Sequence, residues 1–327
     1  MKLITFQKEN SQEIGGVLEE TLIVPLQGNY QEQNGQASAY FADMLSFLKG
    51  GEAAKHTAEE VLRKASIHIS ASEVRLLSPV PRPESIRDCL AFEQHIINCI
   101  RKVGLKKLAP LDEKLEKLFG RKRSLAGAMN KAWYERPVYY KGNRFSVVGD
   151  RALIKQPSYT QELDYELEWG IFIGKQGKGI TVEDAHEYIG GYTVFNDFSA
   201  RDIQMSEQAA RLGPAKGKDF DTGNAIGPFL VTPDEITDPY QLEMTATVNG
   251  EVWSKGNTGD MYWTFEQIIS YISMSETLYP GEFIGSGTCS GKDGCGCGLE
   301  MGKFLKAGDT VVLEVEGVGC LCNTVAE

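Results

Sequence analysis

The chain has 327 residues, 42% of them hydrophobic, which is enough for a sizeable buried core. Its 45 acidic residues outnumber 34 basic ones, and a formal net charge of −11 excludes the basic footprint that nucleic-acid phosphates require. No apolar run has the length of a secretory signal or a bilayer span, so a cytoplasmic protein with no nucleic-acid or membrane partner is expected.

Near the start, the apolar runs Leu3–Phe6, Gly16–Leu18 and Leu22–Leu26 read as short strands. Helical patterns follow over 37–49 and 52–65, the second placing Ala54, Ala58, Val61 and Leu62 on one face. Pro79, Pro81 and Pro83 then favour extended backbone that cannot continue a helix. The expected division falls there: a small N-terminal α/β domain over 1–80 and a catalytic domain over 81–327. Ala91–Lys102 reads as a helix, and the charge-rich stretch 101–125 as a solvated helix and loop, with a lid or partner surface as the sharper alternative.

From Leu163 onward strand patterns dominate, giving an expected fold class of α+β, mostly β. Asp164, Glu166 and Glu168 alternate, so in extended backbone they share a face just before the apolar run Trp169–Ile173. Like charges entering a core repel one another and lose hydration, and a bound cation removes both penalties. Hard oxygen donors suit Mg²⁺, Ca²⁺ or Mn²⁺; the plain alternative is a strand end whose acids face water. Farther on, Asn196-Asp197-Phe198-Ser199-Ala200-Arg201-Asp202-Ile203-Gln204 reads as a strand running into a helix start. Ser199 and Asp202 have capping-box spacing, and Arg201 and Gln204 share one helical face. Asn249-Gly250, between Val248 and Glu251, is a hairpin-turn signal, and Asp309–Gly317 reads as a strand ending in a turn.

Taken together, these segments resemble the fumarylacetoacetate hydrolase family. The Glu166-Leu167-Glu168 motif and the Asn196–Gln204 motif come first. Leu212–Thr222 is similar to the family's Gly-Lys-x-Phe-x-Thr segment, and Pro280–Gly291 to its Pro-Gly-Asp…Gly-Thr-x-x-Gly loop. Lys306–Val311 is similar to its last strand, so the landmarks run in order over 86–327.

The resemblance implies a β-rich catalytic domain and a divalent cation, Mg²⁺ or alternatively Ca²⁺ or Mn²⁺, held by Glu166, Glu168, Asp197 and Asp88. It implies His95 as the catalytic base, with Glu300 as its orienting carboxylate because Asn98 stands where some members carry a glutamate. It further implies Lys218 as a catalytic donor to developing charge, and Arg201, Gln204, Tyr140 and Thr288 as substrate contacts. The implied reaction is hydrolysis of a C–C bond in a small oxo-acid or β-diketone, such as an acylpyruvate, by a homodimer. Decarboxylation, dehydration or isomerisation of a small oxo-acid uses the same chemistry, and a non-catalytic metal-binding module is the rival of another class. Seven cysteines without a secretory context read as reduced thiols. Cys295-Gly296-Cys297 and Cys320-Leu321-Cys322 leave open zinc or iron–sulfur ligation beside simple burial of small apolar groups.

Overall fold

The computed structural model describes residues 1–9, 11–18, 21–211, 213–291 and 294–326; Leu212, which opens the lysine-bearing segment, lies outside them. The architecture is α+β and mostly β. At its centre the Ile189–Asp197 strand pairs antiparallel with Asn224–Val231 on one side and Glu168–Ile173 on the other. Beyond Glu168–Ile173 lie Phe283–Gly285, then Ile86–Cys89 in parallel register, then Tyr139–Gly142. Beyond Asn224–Val231 lie Lys2–Lys8, Ser11–Leu18, Leu22–Pro25 and Ile69–Ser70. A second sheet runs Glu251–Asn257, Glu243–Val248, Thr310–Val315, Gly319–Val325, Leu153–Ile154.

Alternation along the central strands sorts side chains into two cores. Trp169, Ile171 and Ile173 point with Val194 toward Met244, Ala246, Leu313 and Leu321 of the second sheet. Phe172, Phe195 and Phe283 point the other way, against Met44, Phe47, Leu48, Ala58 and Val61 of the Met44–Arg63 helix. A sheet covered on both faces explains why all of Glu168–Ile173 is buried.

The N-terminal strands continue the main sheet, since Lys2 and Leu3 pair with Val231 and Leu230. A division near residue 80 therefore separates parts that share one sheet and one core. The Met44–Arg63 element breaks at Gly51, whose φ of 53° and ψ of −138° leave the helical region, which accounts for the two separate helical patterns in the sequence. One element differs from expectation: the strand ends at Pro25 and a helix runs over Leu26–Asn34. The Ala109–Phe119 helix is mostly exposed, as expected, with Asp112 alone buried in an ion pair with Arg101 and Leu111, Leu118 and Phe119 left on the surface. The expected hairpin turn forms, with φ of 52° at Asn249 and 82° at Gly250. Among the described residues, no helix is long and apolar enough to cross a membrane.

Phe283 is fully buried and its ring meets Phe172 and Phe195 at centroid distances of 5.2 and 5.1 Å. Replacing it by Ala is expected to cost about 3–5 kcal/mol in urea unfolding, because the cavity opens between sheet and helix where neither side can collapse. A loss below about 1 kcal/mol would contradict this account of the second core.

Candidate active site

The same alternation that makes the aromatic layer places acids at its edge. Glu168 lies on the face of Phe172, Asp197 on that of Phe195, and Asp88 on that of Ile86. Glu166 lies just outside the regular strand, in an isolated bridge with Cys297. Oxygens of Asp88, Glu166, Glu168 and Asp197 all lie within 4.8 Å of one another, and all four residues are buried.

Charge is only partly balanced there. Lys218 donates to Glu166 at 2.6 Å and also to Asp197. Arg201 donates to Glu166 at 2.8 Å and to Asp164 at 2.7 Å. Burial would raise Glu166, but Lys218 and Arg201 outweigh it and hold the carboxyl well below its ordinary range. Asp88 and Glu168 lack such partners. The Gly287 amide donates to each at 3.1 Å, and the Thr288 hydroxyl lies 3.5 Å from Glu168. Burial and then the charge of Asp197 push Asp88 up to about 8; burial and then Asp88 push Glu168 well up; burial and the charge of Glu166, opposed by Lys218, bring Asp197 to about 6. Tyr140 donates its hydroxyl to Asp197 Oδ2, while Asp197 Oδ1 is buried with no hydrogen-bond partner.

This donor set fits a hard divalent cation. Four buried carboxylates converge, one buried oxygen has no donor, and burial together with the neighbouring negative charges pushes the carboxyls of Asp88 and Glu168 up. Asp164 shares the alternation but not the cluster. It accepts from Arg201 and from the amides of Gly298 and Leu299, tying Arg201 to the segment that carries Glu300.

Beside the acids, His95 Nδ1 sits 2.7 Å from Glu300 Oε1, although the chain between them is long. Glu300 is further held by Ser290 at 2.7 Å, the Gly296 amide at 3.2 Å and the Asn98 amide group. Burial opposes charge on His95, but its bonds to Cys297 and Glu300 outweigh this and raise it to about 10. A cavity of about 710 Å³ is lined by His95, Tyr140, Arg201, Gln204, Lys218 and Thr288 together with Asp88, Glu166 and Glu168. Gln204 accepts from Arg201 at 2.9 Å. All the site residues read from the sequence thus line one cavity or lie directly behind its wall. What the sequence did not disclose is the support: Asp164, Asn98, Ser290, and the thiols of Cys99 and Cys297. Asp164 carried a signal in its period-two spacing from Glu166, Asn98 in its place three residues after His95, and Cys297 in its spacing from Cys295; Ser290 and Cys99 carried none.

The family model for the fumarylacetoacetate (FAA) hydrolase C-terminal domain matches residues 116–326. This chain belongs to the fumarylacetoacetate hydrolase family. Among curated members, it is 32% identical over 327 residues to the mitochondrial oxaloacetate tautomerase fahd2 of Xenopus laevis, covering 99% of this chain and 90% of that one. It is 30% identical over 263 residues to oxaloacetate tautomerase YisK of Bacillus subtilis, covering 80% and 76%. A solved fumarylacetoacetate hydrolase from Exiguobacterium antarcticum superposes with a TM-score of 0.75 at 25% identity, covering 100% and 99%.

The raised carboxyls have a measurable consequence. Asp197 and Asp88 bind protons more tightly folded than unfolded, so their contribution to the stability of the metal-free protein is present at low pH and is lost as pH rises through about 6 and about 8. A divalent cation takes the place of those protons and is bound more tightly as pH rises. The melting temperature of metal-free protein is expected to fall over that window, and the increment from Mg²⁺ or Mn²⁺ to grow. An increment independent of pH would count against the carboxylates as the cation's donors.

Proposed function

We propose that this enzyme interconverts the enol and keto forms of a small 2-oxo-dicarboxylate of the oxaloacetate type, with a divalent cation held by Asp88, Glu166, Glu168 and Asp197. The observation that carries the reading is the buried His95–Glu300 pair, whose imidazole lines the same cavity as Asp88, Glu166 and Glu168. Relatives named oxaloacetate tautomerases, aligned over most of this chain, support the substrate class. When bound, the cation supplies a Lewis acid for the substrate's oxygens.

Tautomerisation needs a proton moved between carbon and oxygen and nothing else. With Nδ1 engaged by Glu300, His95 is left with Nε2 to face substrate. An imidazole raised to about 10 carries its proton at neutral pH and suits delivery to the carbon of an enolate. Hydrolysis would instead ask it to begin by taking a proton from water. Lys218 and Tyr140 are donors for negative charge developing on the enolate oxygen. Arg201, with Gln204 and Thr288, is suited to the substrate's far carboxylate, since one guanidinium nitrogen of Arg201 is buried without a partner. C–C hydrolysis is the second reading, favoured by the likeness to a solved fumarylacetoacetate hydrolase.

Enol-oxaloacetate mixed with Mg²⁺- or Mn²⁺-loaded protein should ketonise faster than in buffer, with no cleavage product. Glu300→Gln keeps the shape and removes the charge, and should lower kcat by roughly 10²-fold or more. His95→Ala should cost at least as much, and the double variant little more than the worse single, because the pair acts as a unit. Release of fragments from acylpyruvates faster than enol decay would replace tautomerisation by the hydrolytic reading.

A further inference from the structure

Two thiols stand at the proton-transfer pair, and the chemistry proposed above uses neither. Cys99 Sγ lies 3.7 Å from His95 Nε2 and 3.8 Å from Nδ1, and Cys297 Sγ lies 3.5 Å from Glu300 Oε1. One donor atom each from His95, Cys99 and Glu300 lie within 4.8 Å of one another. Cys297 stands just outside that group, its sulfur 3.5 Å from Glu300 Oε1. His95, Cys297 and Glu300 are buried and Cys99 is half-buried, with His95 and Cys99 lining the active-site cavity from which an ion would enter.

We propose that His95, Cys99, Cys297 and Glu300 form a second cation site, selective for a soft divalent ion of the zinc class, whose occupation switches the enzyme off. Nitrogen, two sulfurs and one carboxylate oxygen make the four-donor set that zinc takes. With Zn–S of about 2.3 Å and Zn–N or Zn–O of about 2.0–2.1 Å, tetrahedral neighbours lie roughly 3.3–3.8 Å apart. The Cys99–His95 and Cys297–Glu300 distances already fall in that range; the His95–Glu300 hydrogen bond, at 2.7 Å, has to open, and the Cys297 sulfur has to close on the group of three.

Charge favours the ion as well. Two thiolates, a carboxylate and a neutral imidazole leave one net negative charge around a divalent ion, beside Arg201, whose guanidinium feels both thiols and has one nitrogen unpaired. Each zinc bound releases two thiol protons and the imidazolium proton to solvent. The neighbouring cluster offers only carboxylate oxygens, so the two sites sort hard from soft cations by donor chemistry.

The switching-off rests on the proposed role of His95; the binding does not. Zinc alone is therefore titrated into Mg²⁺-loaded protein and followed by X-ray absorption, with Co²⁺ as an optical probe. The expected result is one zinc per chain that excess Mg²⁺ does not displace, with sulfur in its first shell. Co²⁺ should show a thiolate charge-transfer band and tetrahedral absorption. Cys99→Ser and Cys297→Ser should each weaken zinc by roughly 10- to 100-fold or more, while Glu168→Gln should retain it. Zinc bound only by oxygen and nitrogen, or displaced by Mg²⁺, or unaffected by both serine variants, would overturn the proposal without any variant having to be active. Should the binding appear and tautomerisation not, the functional reading fails and the site stands.

Discussion

Four carboxylates held within a few ångströms of one another in a protein interior repel, and the rest of the architecture answers to that repulsion. Lys218 and Arg201 neutralise one side of the cluster, at Glu166 and Asp197, and leave Asp88 and Glu168 facing each other with backbone amides for support. The imbalance gives the cluster a deficit of positive charge of the kind a divalent ion would fill. Removing it with one more lysine would make a comfortable interior and an idle one.

The acids depend in turn on the layer below them. Successive residues of the same strand face supply a carboxylate at the edge and an aromatic ring deeper in: Asp197 then Phe195, Glu168 then Phe172. Between the layers the chain needs space, and glycine provides it. A Cβ on Gly285 would lie 2.4 Å from Asp88 Oδ1, and one on Gly170 would lie 2.4 Å from the ring of Phe283. The absence of two methyl groups thus fixes how near the strands approach and where Asp88 can stand.

How much of this was legible before the fold was known varied with the range of the interaction involved. Glu166, Glu168 and the break at Gly51 follow from local spacing and backbone chemistry, and they were readable. Asp88, His95 and Glu300 became visible only through the resemblance, since nothing local joins residue 95 to residue 300. The Leu26–Asn34 helix was missed because Gln27, Gly28, Asn29, Gln31 and Gln33 give it no apolar stripe; buried Asn29 anchors it by donating to the carbonyls of Pro25 and Ile67. In Ala109–Phe119 the solvated reading holds for Glu113, Lys114 and Lys117, while Asp112 and Glu116 turn inward to Arg101, a pairing that local charge spacing does not reveal. Cys320 was offered as a small buried group and is exposed, because it lies on the open face of its strand.

The pairing of Lys2–Lys8 with Asn224–Val231 carries a consequence for biosynthesis. The Lys2–Lys8 strand has as its sheet partner a strand made more than two hundred residues later, so its ladder stays half-formed while the intervening chain is synthesised. Ser11–Leu18 offers a temporary partner by hairpin closure, but the face destined for Phe172 and Phe283 stays wet until the centre of the sheet exists. This part of the sheet therefore closes late rather than progressively, and the nascent chain presents apolar strand to chaperones for longer than a protein built from local contacts would.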